Sequence, residues 1–136
     1  MEKTTKSIGE TKKLAFEIAK KIKLGDVVAL YGDLGSGKTT FTRYLSESLG
    51  YTGRTQSPTF VVARKYGNIN HVDLYRLTTK EEALDIGIGE MMSDKKSITI
   101  IEWPGIVDEI LPDRTIKIYF EYIDEKSRRI KIQNLY

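Results

Sequence analysis

Residues 26–40 read DVVALYGDLGSGKTT, and the order of residue types in this stretch decides the fold. Its first six residues are an apolar run rich in β-branched and aromatic side chains, as expected of a strand covered on both faces. Gly32, Gly37, Lys38 and Thr39 then take the fixed positions of the pattern G-x-x-x-x-G-K-[ST]. Average residue usage gives such a match by chance in roughly one chain in two hundred of this length. Here it also starts at a strand end and opens a helix, which is the context the pattern requires. Phe41, Tyr44, Leu45 and Leu49 follow at helical spacing, and Gly50 stands where a C-terminal cap favours glycine.

Each residue type in the loop has a physical task. Glycines let the backbone turn through positive φ and approach an anion closely, so that successive amides point inward, and the following helix adds its positive end. Lysine reaches the β- and γ-phosphates, and the hydroxyl after it ligates magnesium. The stretch therefore predicts a triphosphate site made by Asp33, Leu34, Gly35, Ser36, Gly37, Lys38, Thr39 and Thr40. The N-K-x-D element expected of a guanine reader does not occur in the sequence, which favours ATP with Mg2+.

Upstream, Ser7 and Glu10 have capping-box spacing, and Leu14, Ala15, Ile18, Ala19 and Ile22 then mark one helical face, with Gly25 as its expected end. Downstream, residues 53–59 are polar and contain Pro58, which suggests a loop. FVVARKY and INHVDLY flank Gly67 and Asn68, a pair suited to a tight hairpin turn. Thr79 and Glu82 repeat the capping-box spacing before a short helix that Gly87 and Gly89 are expected to break. SITII, residues 97–101, is a second buried strand, ending at Glu102, Trp103 and Pro104. A short helix stopped by Pro112 follows, and then Ile116, Ile118, Phe120 and Tyr122 alternate in strand period before DEKS turns the chain back into RRIKI. The pattern predicts one α/β domain over residues 1–136, with parallel central strands flanked by antiparallel ones.

Composition narrows the setting. Hydrophobic residues make up 40% and charged residues 30%, as in soluble globular chains. There is no cysteine, so neither a disulfide framework nor a thiolate metal site is available. The first residues lack the apolar core of a signal peptide, and no run of 18 apolar residues occurs, so the chain reads as cytoplasmic. A net charge of +3 argues only weakly for nucleic acid, and Lys12, Lys13, Lys20, Lys21 and Lys23 read first as a solvated helix face.

Magnesium at such a loop needs an acidic partner at the end of a neighbouring strand. Glu102 closes SITII and Asp73 closes NHV, and spacing alone does not rank them. If one holds the ion, the other is left to orient the attacking water or accept its proton. Ser57, Pro58 and Thr59 lie on a loop that either senses the γ-phosphate or is a plain turn. Trp103 is expected to be buried, and His71, the only histidine, is expected to be a packed or surface residue rather than a zinc ligand.

Taken together, GDLGSGKTTF at 32–41, SPTF at 57–60, HVDLYR at 71–76 and EWP at 102–104 closely resemble the bacterial TsaE (YjeE) family of small ATPases, in the same order and with similar spacing. The resemblance implies a three-layer P-loop NTPase-like fold. It also implies a slow, magnesium-dependent ATPase that works with TsaD and TsaB in threonylcarbamoyl modification of tRNA adenosine, meeting tRNA indirectly through that complex. By the same resemblance, Thr39 and Glu102 match the magnesium positions, Asp73 the acidic residue needed for activity and Trp103 the tryptophan beside the site; with Lys38 of the loop pattern, Asp73 and Glu102 make the candidate catalytic set, and Thr59 is the nucleotide contact its loop would offer. The resemblance also brings residues near 7–11 and the C-terminal hairpin toward the nucleotide, where the turn DEKSRR leaves Lys126, Arg128 or Arg129 as the basic residue that meets adenine or phosphate. A small-metabolite kinase built on the same loop is the competing reading, although no acceptor pocket or arginine-rich lid is recognisable. A nucleotide-gated module touching tRNA through its lysines is a third.

Overall fold

The computed structural model describes residues 1–33, 37–51 and 62–135. Among these, seven strands form one mixed sheet: β1 Glu2–Thr5, β2 Val27–Tyr31, β3 Ala63–Tyr66, β4 Ile69–Asp73, β5 Ile98–Glu102, β6 Ile116–Tyr122 and β7 Arg128–Gln133. Their order is β1-β7-β6-β2-β5-β4-β3. The pairs β2/β5, β2/β6 and β4/β5 are parallel, whereas β3/β4, β6/β7 and β1/β7 are antiparallel. This is the expected parallel centre with antiparallel flanks. In β2, residues 27–30 are all buried, as the unbroken apolar run required of a strand covered on both faces.

Helices cover the two faces. On one side α1 Ile8–Ala19 and α2 Lys38–Ser48 pack Leu14, Ile18, Phe41 and Leu45 against Val28, Leu30, Ile100 and Ile118 of the sheet. On the other, α3 Lys80–Asp85, α4 Ile88–Ser93 and a 3-10 helix, Pro104–Ile110, place Ala83, Ile88, Met92 and Val107 against Val27, Val72 and Ile101. Residues of β2, β4 and β5 thus serve both cores, whereas β6 supplies only the first. Phe41 is fully buried, edge-on to Phe120 at 5.1 Å, and burial of such a side chain contributes about 1.5–3 kcal/mol.

Several elements depart from expectation. The helix α1 stops at Ala19, not at Gly25. Lys21 and Ile22 donate to the carbonyls three residues back, and this tighter turn still delivers Ile22 to the core at 8% exposure. At its start Ser7 accepts from the Glu10 amide, but the Glu10 carboxylate accepts from Lys6 rather than closing back on Ser7. Gly87, at φ +93°, does separate α3 from α4, whereas Gly89 lies inside α4. Tyr122 is 55% exposed at the end of β6, although Ile116, Ile118 and Phe120 alternate inward as expected. The edge strand β1 went unpredicted because EKTT is polar, and only Thr5 of it is buried.

Candidate functional site

Parallel register gathers the carboxyl ends of the central strands on one edge, where open α/β sheets bind ligands. Leu30 of β2 and Asp73 of β4 both lie opposite Glu102 of β5. Just beyond Leu30 and Tyr31 the chain enters the glycine loop, and α2 begins at Lys38. Its N-cap, Gly37, sits at φ +99° and ψ 8°, a left-handed conformation that an L side chain adopts only with strain. That turn leaves the first amides of an eleven-residue helix open at its positive end.

Six side chains, those of Thr39, Glu102, His71, Lys38, Trp103 and Asp73, gather at this edge. The Thr39 hydroxyl donates to Glu102 Oε1 at 3.1 Å. Glu102 is 1% exposed, and its other oxygen, Oε2, lies 2.6 Å from His71 Nε2, itself 1% exposed. Lys38 is also buried; its ammonium donates to the Gly32 carbonyl and sits 3.5 Å from the centroid of the Trp103 ring. Burial lowers the pKa of Lys38, and the carboxylates of Glu102, Asp73 and Asp33 pull it back up. Burial likewise raises Asp73, with the Tyr75 amide, 3.0 Å from Oδ1, opposing and Glu102 adding to the rise. A half-buried carboxyl with a raised pKa beside a cation is the chemistry of a proton acceptor.

The donor set suits a small hard cation, since a hydroxyl and a carboxylate oxygen already converge on one point. Among the described residues no cluster of three or more His, Cys, Asp or Glu gathers anywhere that could hold a metal. A cation at Thr39 and Glu102 would therefore complete its shell from phosphate and water, as magnesium does in phosphoryl-transfer sites. Trp103 holds φ 57° and ψ 56°, unusual for a bulky residue, between β5 and the 3-10 helix, and its ring also meets Tyr75 at 4.9 Å. The half-buried position of Trp103 places that ring over the site rather than in the core.

A second group lies on the other side of Gly37. Thr40, Lys126 and Arg128 line, with Gly37, Ser7 and Thr11, a cavity of about 150 Å3. The Arg128 guanidinium overlies Gly37, with Nε 3.7 Å from where a Cβ would stand, and is braced by the Ser127 carbonyl at 2.9 Å and the Tyr122 ring at 4.7 Å. The N-terminus of α1, the loop and the hairpin turn, remote in sequence, thus share one hollow. Asp33 is exposed at the loop entrance. Leu34, Gly35, Ser36, Ser57, Pro58 and Thr59 lie outside the described residues.

Sequence reasoning overlooked two contacts. His71 is packed, as one of its two expected states, but it also grips Glu102, and the cue was available: His71 and Asp73 are two apart on one strand and so share a face. Tyr31 donates to Asp108 Oδ1 at 2.7 Å, linking the strand before the loop to the 3-10 helix after Trp103, and burial together with Asp108 pushes its phenol well up. No motif signals that link.

The sheet order, the strand-loop-helix at residues 26–48 and the paired hydroxyl and carboxylate define a P-loop NTPase-like α/β protein. The family model of the Threonylcarbamoyl adenosine biosynthesis protein TsaE matches residues 5–130, and the chain belongs to that family. It is 36% identical over 125 residues to the tRNA threonylcarbamoyladenosine biosynthesis protein TsaE of Bacillus subtilis, covering 89% of this chain and 77% of that one. The Streptomyces coelicolor protein of the same name is 41% identical over 111 residues, 76% of this chain and 74% of its own. The crystal structure of Bacillus subtilis YdiB superposes with a TM-score of 0.77 at 29% identity, covering 97% of this chain and 83% of that one.

Proposed function

We propose that the chain is a single P-loop ATPase domain that binds ATP with Mg2+ and hydrolyses it to support threonylcarbamoyl modification of tRNA adenosine. Family membership supports the pathway, and the observation that carries the chemistry is the Thr39 hydroxyl held on Glu102 beside Lys38, at the mouth of a helix. Lys38 draws on the β- and γ-phosphates and spreads the charge that develops as water attacks in line. Magnesium, when bound, would be held by Thr39 and Glu102 and would neutralise phosphate charge. Asp73 orients the attacking water and accepts its proton as the bond from γ-phosphorus to the bridging oxygen breaks, and ADP and phosphate leave. The nucleotide-binding set is Asp33 to Thr40 with Thr59, Trp103, Lys126 and Arg128.

Among the described residues no helix is long and apolar enough to cross a membrane. A role in tRNA modification places the work in the cytoplasm. The partners are TsaD and TsaB, through which the chain meets tRNA. Turnover alone is slow, since the sequence offers no recognisable arginine finger. The test is ATP turnover with and without TsaD and TsaB. Acceleration by the partners is the expected result. Equal, fast rates in both would contradict it, and transfer of labelled phosphate to a small metabolite would favour the kinase reading instead.

A further inference from the structure

The two oxygens of the Glu102 carboxylate have different partners. Oε1 accepts from Thr39, the residue that opens toward phosphate, whereas Oε2 meets the imidazole of His71 at 2.6 Å, with both residues 1% exposed. The histidine stands on β4, paired with Arg64 of β3 on one side and Ile100 of β5 on the other, and so belongs to the sheet rather than to the loop. We propose that His71 is a positioning residue: by donating from Nε2 to Oε2 it holds Glu102 with Oε1 turned to Thr39, so that the two cation-ligating oxygens are set before metal and nucleotide arrive.

Hydrogen-bond accounting fixes the direction of donation. An ionised carboxylate only accepts, so Nε2 must carry the hydrogen. His71 Nδ1 is buried with no partner among the described residues, and a hydrogen there would be an unsatisfied buried donor, costing about 1–3 kcal/mol. The tautomer with its hydrogen on Nε2 avoids that cost and presents one donor, aimed at Glu102. A competing attraction makes the restraint necessary. The Lys38 ammonium interacts electrostatically with Glu102, and a glutamate has three side-chain torsions through which to follow that charge once the bond to His71 is removed. Outer-shell partners of this kind typically change metal affinity by about 10- to 100-fold when removed.

The proposal rests on Thr39 and Glu102 holding Mg2+, and the test separates the two ideas. Calorimetric titration with the non-hydrolysable analogue AMP-PNP, at a series of Mg2+ concentrations and in EDTA, gives the metal requirement apart from turnover. Wild type is compared with His71→Phe, which keeps a ring beside Tyr66 but removes the donor. His71→Gln, whose amide nitrogen reaches the Nε2 position, and His71→Asn, whose amide is too short, complete the set. His71→Phe and His71→Asn are expected to need about tenfold more Mg2+ with affinity in EDTA unchanged, and His71→Gln to stay near wild type. Should the phenylalanine variant not fold, the glutamine and asparagine pair decides. A wild-type Mg2+ requirement in His71→Phe or His71→Asn, equal loss in His71→Gln, or an equal loss of affinity in EDTA overturns the positioning role. A wild type whose affinity ignores Mg2+ refutes the metal reading itself and the proposal with it.

Discussion

Lys38→Ala separates chemistry from folding at this site. The side chain is 4% exposed, bonded to the Gly32 carbonyl and covered by the Trp103 ring at 3.5 Å. In the folded state the ammonium gains a desolvated cation–π contact worth up to about 2 kcal/mol and a charged hydrogen bond of about 1.5–3 kcal/mol. Against these stands a desolvation penalty of several kcal/mol for a buried ion. Burial lowers the pKa of Lys38 while Glu102, Asp73 and Asp33 pull it back up, so the opposing terms offset one another. Alanine should therefore leave stability within about 1 kcal/mol of wild type, a near cancellation of these terms. Activity should respond very differently. Loss of one preorganised donor removes about 3 kcal/mol of transition-state stabilisation, or roughly 150-fold in kcat/KM. Urea denaturation and steady-state phosphate release on the same preparation measure both. A drop in kcat/KM below about tenfold in a folded variant would refute the phosphate role, and a stability loss above about 2 kcal/mol would make Lys38 a structural residue.

Glu102→Gln should raise the Mg2+ needed for nucleotide binding while leaving the fold intact; if Asp73→Asn does so and Glu102→Gln does not, calorimetry reverses the two roles. Asp73→Asn should raise the urea midpoint of the metal-free protein at pH 7. Its carboxyl is lifted above the ordinary 3.8, so the folded state holds the proton more tightly, and the cost of ionisation is present above the folded pKa and gone below 3.8. The advantage of asparagine should accordingly fade as pH falls through that window, and an unchanged difference at pH 3.5 would contradict the burial argument. Trp103 is the only tryptophan, so its emission reports on the Lys38 contact. Nucleotide that draws the ammonium to phosphate should change that emission saturably, and flat emission with binding verified by calorimetry would show that the contact persists.

What the sequence disclosed follows from how locally each feature is encoded. The strand at 27–31, the helix from Lys38 and the hairpin around Gly67 are written in neighbouring residue types, and each forms close to where its pattern lies. Glu102 and Asp73 could be placed at strand ends but not ranked, because spacing says nothing of which carboxylate meets Thr39. The structure puts Glu102 in that contact and Asp73 opposite it in register. Edge strand β1 was illegible because its stability comes from pairing with β7, 123 to 129 residues away, rather than from any apolar pattern of its own. The hollow shared by Ser7, Gly37 and Arg128 is likewise a product of topology, which brings the sheet's β6-β7 turn over the loop.

Calorimetric titration of the wild-type chain with ATP and Mg2+ tests the central claim most directly. One saturable site, weakened when Mg2+ is chelated and lost in Lys38→Ala, is the expected result. No heat at millimolar ATP and Mg2+, with TsaD and TsaB present as well as absent, would contradict a triphosphate site at the mouth of α2.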